Sequence, residues 1–95
     1  MMSYNGAAFM DAKENDEIIQ ILSAFQRYTN IILNIEPSTF ECGGFYDPIY
    51  EGKQTGFIIN GKEFRKEPCI ETWKGYVARI KGYLFDIMVE SEVIA

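Results

Sequence analysis

The sequence predicts an α+β domain in which two helices pack on an antiparallel sheet of about three to five strands. Three observations support this fold class: a capped amphipathic segment after Asp11, an Asn60-Gly61 turn between two apolar runs, and a third apolar block over residues 70–89. A chain of 95 residues can build one hydrophobic core but not two. We therefore expect residues 1–95 to form a single domain, with residues 1–10 as a flexible N-terminus.

The first predicted element is a helix that begins after Asp11. Asp11 and Glu14 have the spacing of a capping box, which satisfies two amides of the first turn. Apolar residues then recur every three or four positions and form one stripe: Ile18, Leu22, Phe25, Tyr28 and Ile32. The helix could run to the residue before Pro37. The β-rich composition of residues 31–35 instead favours a left-handed stop at Asn30, followed by a short buried strand.

The middle of the chain reads as strands joined by turns. A strand is predicted from Ser38 to Glu41, broken at Gly43-Gly44 and continued through Phe45-Tyr46. Two further strands, over residues 56–59 and 62–65, flank Asn60-Gly61. Both of these turn residues tolerate positive φ, so the pattern predicts a tight hairpin with a type I′ turn.

The C-terminal apolar block repeats a seven-residue phrase, KGYVARI followed by KGYLFDI. We predict a helix over residues 68–81, with Pro68 in its first turn, Arg79 and Lys81 in its last turn, and Gly82 as its stop. A closing strand over residues 83–89 would then place four residues on the core face: Tyr83, Phe85, Ile87 and Val89.

Two alternatives for this block remain open. One long helix over residues 69–90 would have a continuous apolar register through Ile70, Trp73, Val77, Ile80, Leu84 and Ile87. Its weakness is that Gly75 and Gly82 would each cost about 1 kcal/mol relative to alanine in a helix interior. The second alternative is a hairpin with Lys81-Gly82 at its tip.

The net charge and the composition of the chain argue against several functional classes. The net charge is −5, which argues against a nucleic-acid-binding protein. Basic residues concentrate between residues 52 and 81, so the surface could steer a charged partner or pair with a second copy. No apolar run approaches the roughly 20 residues that cross a membrane. The chain has only two cysteines and no secretory signal, so we expect a cytoplasmic protein with free thiols at Cys42 and Cys69.

The sequence contains few of the residues and motifs on which enzymatic catalysis usually depends. The chain has no histidine, and it lacks a phosphate-binding loop and a nucleophile elbow. We therefore expect neither a catalytic residue nor a bound metal or cofactor. The enzymatic alternative uses carboxylates at Glu41, Asp47 and Glu51 in a tyrosine-lined pocket that binds a small ligand.

The sequence supports a binding function better than a catalytic one, because aromatic residues surround a glycine-containing turn. The predicted partner-binding residues are Phe45, Tyr46, Asp47, Tyr50 and Glu51. A second candidate is the small-residue edge formed by Gly75 and Ala78, which could admit another helix. The expected function is a non-catalytic module that sequesters a partner protein, such as an inhibitor, an immunity protein or a phage anti-defence factor. The partner would be another protein with basic character; a homodimer or a structural subunit of a homo-oligomer is the alternative.

Overall fold

A computed structural model describes residues 9–40, 51–67 and 71–91 of the chain. These ranges contain two helices and three strands in this order: α1 (Ala12–Thr29), β1 (Ile35–Thr39), β2 (Gln54–Ile59), β3 (Lys62–Arg65) and α2 (Trp73–Glu90). Within the described ranges, the strands form one antiparallel sheet in the order β1-β2-β3, and both helices pack on it. The predicted α+β class is confirmed.

Helix α1 begins and ends as the sequence predicts. Asp11 is the N-cap: its carboxylate accepts from the Glu14 amide at 2.7 Å, and the Glu14 side chain accepts from the Asp11 amide. Asn30 closes the helix in the left-handed region with φ 63°. Of the predicted apolar stripe, Ile18, Leu22 and Phe25 are buried as expected. The other two members, Tyr28 and Ile32, are each 81% exposed.

The segment after α1 is not the strand predicted over residues 31–35, because side chains of α1 bind its backbone amides. The Thr29 hydroxyl accepts from the Ile31 amide at 3.1 Å, and the Gln26 side chain accepts from the Leu33 amide at 2.8 Å. These amides are already satisfied and do not join the sheet ladder. The strand of the structure begins at Ile35. The strand predicted from Ser38 overlaps it, but its predicted start is three residues too late.

The hairpin between β2 and β3 is confirmed. Asn60 and Gly61 have φ values of 51° and 83°, which match the two positive values of a type I′ turn. The Asn60 side chain also accepts from the Asn34 amide at 2.9 Å, while the Asn60 amide donates to the Asn34 carbonyl at 2.8 Å. The turn therefore positions the chain that enters β1.

The core lies between the helices and one face of the sheet. Alternate residues Phe57 and Ile59 of β2 point to the same face, and Phe64 of β3 is paired with Phe57. The buried apolar residues of the described ranges form one cluster: Met10, Ile18, Leu22, Phe25, Leu33, Phe57, Ile59, Phe64, Tyr76, Ile80 and Leu84. Met10 belongs to it because its amide donates to the Gln54 carbonyl at 2.8 Å, next to β2.

The C-terminal block is one long helix, so the predicted break at Gly82 and the closing strand over residues 83–89 are wrong. Helix α2 starts at Trp73 with Thr72 as its N-cap, and it continues past Gly82 to Glu90. Pro68 precedes this cap and lies outside the described residues. Arg79 and Lys81 lie in the helix interior instead of the last turn. The hairpin alternative is also wrong.

Burial explains why residues 73–90 form one helix and not a helix followed by a strand. Tyr76, Ile80 and Leu84 recur every four residues and are all buried, so one helical face fills the core. Burying a large apolar side chain contributes about 1.5–3 kcal/mol, which outweighs the cost of about 1 kcal/mol for each helical glycine. In the predicted strand, Phe85 and Val89 would have faced the core; in the helix both are exposed.

The two helical glycines of α2 give a first prediction. A β-carbon at Gly82 would meet nothing within 4 Å, whereas one at Gly75 would lie 3.3 Å from the Glu71 Cγ. We expect Gly82→Ala to raise the free energy of unfolding by about 1 kcal/mol, as helix propensity predicts, and Gly75→Ala to raise it less. Urea denaturation measures both. An equal gain at the two positions would contradict the crowding at Gly75.

Candidate protein-binding surface

Most of the predicted partner-binding residues lie outside the part of the chain that the structure describes. This holds for Phe45, Tyr46, Asp47 and Tyr50, as well as for Glu41 and both cysteines. Glu51 is described: it is exposed in the turn before β2, next to Gly52 with φ 81°. The turn at residues 45–51 therefore stays a prediction.

A second apolar surface, which the sequence did not predict, lies on the helices. Tyr28 at the end of α1 is 81% exposed, and Phe85 and Val89 of α2 are 54% and 48% exposed. Single exposed apolar residues are ordinary, but several that lie close together on one side of a small domain often mark a contact surface. The relative positions of Tyr28, Phe85 and Val89 therefore decide whether they form one surface.

The two helices bring Tyr28 and Phe85 together because they run side by side in the same direction. Near their first turns, the Trp73 indole N–H donates to the Glu17 carboxylate at 3.1 Å. Further along, α1 and α2 enclose a shallow and mainly apolar groove. We call it the inter-helix groove, and it is lined by Ile21, Ala24, Phe25, Tyr28, Thr29, Lys81, Leu84, Phe85 and Met88.

The outward side of α2 continues this apolar surface. Ala78, Gly82, Phe85 and Val89 are all exposed, and they are separated by four, three and four residues. With about 100° between successive helical residues, that spacing keeps them on one stripe, opposite the buried side chains of α2. We call these four residues the outer stripe. Of the predicted small-residue edge, Ala78 belongs to it, whereas Gly75 is half-buried near Glu71 and Thr72.

Positive charge borders the apolar surface. Lys81 lies in the inter-helix groove, and Lys74 lies in a neighbouring pocket that Lys81 and Glu17 also line. The Arg27 guanidinium lies 5.5 Å from the centre of the Tyr28 ring, a cation–π contact that stabilises the exposed ring. The surface thus combines aromatic and aliphatic groups with a basic rim, which is typical of protein contact sites.

A polar cluster lies where β3 meets the start of α2, around a cavity of about 160 Å³. Lys66 donates to the Glu14 carboxylate at 2.9 Å, and Arg79 binds both oxygens of Glu71 at 2.7 and 2.9 Å. Arg79 also donates to the Arg65 carbonyl at 2.7 Å. The cations hold both carboxylates in place, so we interpret the cluster as a structural clamp between sheet and helix.

Tyr76 anchors this clamp. Its ring stacks on Trp73 at 5.3 Å, and its buried hydroxyl donates to the Phe64 carbonyl at 2.7 Å. Burial raises the pKa of the Tyr76 hydroxyl far above the ordinary value of 10.0, although the charge of Arg79 lowers it in part. Every buried side-chain polar atom of the described residues has a hydrogen-bond partner.

Tyr76→Phe therefore has two expected effects. It removes the hydrogen bond from the Tyr76 hydroxyl to the Phe64 carbonyl, and the free energy of unfolding at neutral pH should fall by about 0.5–1.5 kcal/mol. In the wild type, the unfolded tyrosine ionises above about pH 10 while the folded one stays neutral, so stability should fall as pH rises through that range. Denaturation from pH 7 to 11 tests both. Equal alkaline slopes for wild type and variant would contradict the burial of this hydroxyl.

The described residues form neither a metal-binding cluster nor a membrane-spanning helix. Among residues 9–40, 51–67 and 71–91, no group of three or more Cys, Asp or Glu side chains is arranged to hold a metal ion. In the same ranges, neither helix has the length and apolar character of a membrane span.

Comparison with known proteins does not identify the chain. No protein-family model, no curated protein and no solved structure has a significant match to it.

Proposed function

We propose that the chain is a non-catalytic protein-binding module whose contact surface is the outward side of its two helices. The observation that supports this most is the continuity of the inter-helix groove and the outer stripe, with Tyr28 and Phe85 both exposed along the groove. Large aromatic side chains contribute most to binding where a partner removes them from water. Leaving this surface exposed would also favour aggregation, which gives a reason for a partner to cover it.

The module would act stoichiometrically in the cytoplasm, as an inhibitor, an immunity protein or an anti-defence factor does. The net charge of −5 leads to the sequence-based expectation of a basic partner, but Lys81, Lys74 and Arg27 border this surface and favour an acidic or neutral contact on the partner. The ion pairs and hydrogen bonds of the polar cluster around Tyr76 support a structural role for its cavity, and thus a binding module rather than an enzyme.

The test compares partner recovery by tagged proteins in extracts of the source cells. Wild type is compared with the double variant Tyr28→Ala, Phe85→Ala, and with Ile19→Ala as a control for an exposed apolar residue elsewhere on α1. We expect at least tenfold lower recovery by the double variant, because a loss of about 1.4 kcal/mol suffices for that factor. Circular dichroism confirms folding. Equal recovery by the wild type and the folded double variant would count against the proposed surface.

A further inference from the structure

We infer that the outer stripe of α2 is the docking surface for a second copy of this chain, with the two α2 helices antiparallel. The inference rests on the proposed function, because it names the partner of that surface. Its starting point is the spacing of Ala78, Gly82, Phe85 and Val89, which is the four-three alternation of a coiled-coil seam. The inward side of α2 fills the core of its own domain, so this seam is a second, outward one.

The sizes of the stripe residues are self-complementary in the antiparallel direction. A two-fold axis that passes between residues 83 and 84 places Val89 of one copy level with Ala78 of the other. The same axis places Phe85 level with Gly82. Each large side chain then faces a small one, and Gly82 has open space where a β-carbon would be. A parallel pair would set Phe85 against Phe85 and leave an empty space between the two glycines.

The charges beside the stripe are compatible with the same axis but do not select it. Arg79 and Asp86 lie on the same flank of the stripe, seven residues apart. The axis brings Asp86 of one copy to within two residues of the level of Arg79 in the other, but the Arg79 guanidinium is already bound to Glu71 and to the Arg65 carbonyl, so this pair does not contribute to the dimer. On the other flank, Lys81 comes level with residue 86 of the second copy, and the nearest residue on that flank is the uncharged Met88, two positions further along. The arrangement brings no two like charges directly opposite each other.

The length of α2 limits the area of the contact. Helix α2 has 18 residues and is about 27 Å long at 1.5 Å per residue. A single helix pair of that length, even with Tyr28 and Met88 of the adjoining groove, forms an interface near the lower end of those in specific complexes. We therefore expect a reversible dimer with a dissociation constant on the order of micromolar.

Sedimentation velocity of the purified full-length chain, from low-micromolar to near-millimolar concentration, tests the inference. We expect a concentration-dependent monomer–dimer equilibrium. Gly82→Leu should raise the dissociation constant at least tenfold because the leucine fills the space that Phe85 of the second copy needs. The same change should raise the thermal midpoint of the monomer, because leucine favours the helix more than glycine does. A gain in folding stability with a loss of association cannot result from misfolding.

A swap of large and small residues tests the register. Gly82→Phe and Phe85→Ala should each weaken the dimer, and the double variant should restore it, because a large residue again faces a small one in the antiparallel pair. Ile19→Ala is the control and should leave association unchanged. A monomer at every concentration overturns the inference, and so does a dimer that the stripe variants do not change. If the wild type is a monomer but its partner recovery depends on Tyr28 and Phe85, the inference fails while the proposed function stands. If that dependence is absent too, both fail.

Discussion

Gly56→Ala is expected to be the most destabilising glycine substitution among the described residues. Gly56 is buried in the central strand, opposite Ser38 on one side and Arg65 on the other. An added β-carbon would overlap the carbonyl oxygen of Phe64 and lie 2.9 Å from the Arg65 Cα. Because the obstacle is backbone, β2 and β3 would have to separate. We expect a loss of about 3 kcal/mol or more in the free energy of unfolding.

Thermal and urea denaturation measure this loss, with Gly82→Ala as the matched control. Each kcal/mol shifts the melting midpoint of a domain of this size by roughly 4–8 °C, so the two variants should move in opposite directions by clearly separated amounts. If Gly56→Ala melted within a few degrees of the wild type, the close pairing of β2 with β3 at this position would be wrong.

The second large effect is expected from Leu84→Ala, compared with Phe85→Ala. Leu84 is buried in the core and Phe85 is 54% exposed, although the two residues are neighbours in the sequence. Truncating a buried leucine should lower the free energy of unfolding by about 2–5 kcal/mol. At protein concentrations where the chain is monomeric, truncating Phe85 should change it by no more than about 0.5 kcal/mol.

This pair also separates the helix from the strand that the sequence favoured. In a strand over residues 83–89 with Phe85 on the core face, Leu84 would point outward, and the ranking of the two variants would be reversed. Urea denaturation at low concentration gives the ranking. A larger loss for Phe85→Ala than for Leu84→Ala would contradict the register of α2.

The elements that local chemistry specifies could be predicted from the sequence. The capping box at Asp11, the left-handed stop at Asn30 and the Asn60-Gly61 turn each depend on a few adjacent residues, and all three are present. The C-terminal block could not be resolved in this way. Its glycines and β-preferring residues argue locally for a break, whereas the burial of Tyr76, Ile80 and Leu84 against the sheet is a tertiary effect.

The candidate surface could not be predicted from the sequence for the same reason, because it depends on the tertiary structure. As a strand, the C-terminal block would have buried Phe85 and Val89, so neither could have been proposed as a contact residue. The four-three spacing of the outer stripe becomes visible only once residues 73–90 are one helix. Tyr28 was missed for a related reason: its helical spacing continues the stripe of Ile18, Leu22 and Phe25, yet it extends beyond the core.

Site-specific photo-crosslinking tests most directly the central claim that the outward side of the helices is a protein contact surface. A benzophenone-bearing phenylalanine analogue replaces Phe85 in the full-length chain, and the same analogue at Lys13, an exposed position near the start of α1, is the control. After irradiation in the source cells, mass spectrometry identifies what is attached. We predict crosslinked protein at position 85 and little or none at position 13. A product of two chains of 10.9 kDa each would indicate the second copy, and any other protein would indicate a different partner. No crosslinked protein at position 85, with the folded chain present and the probe intact, would contradict the account.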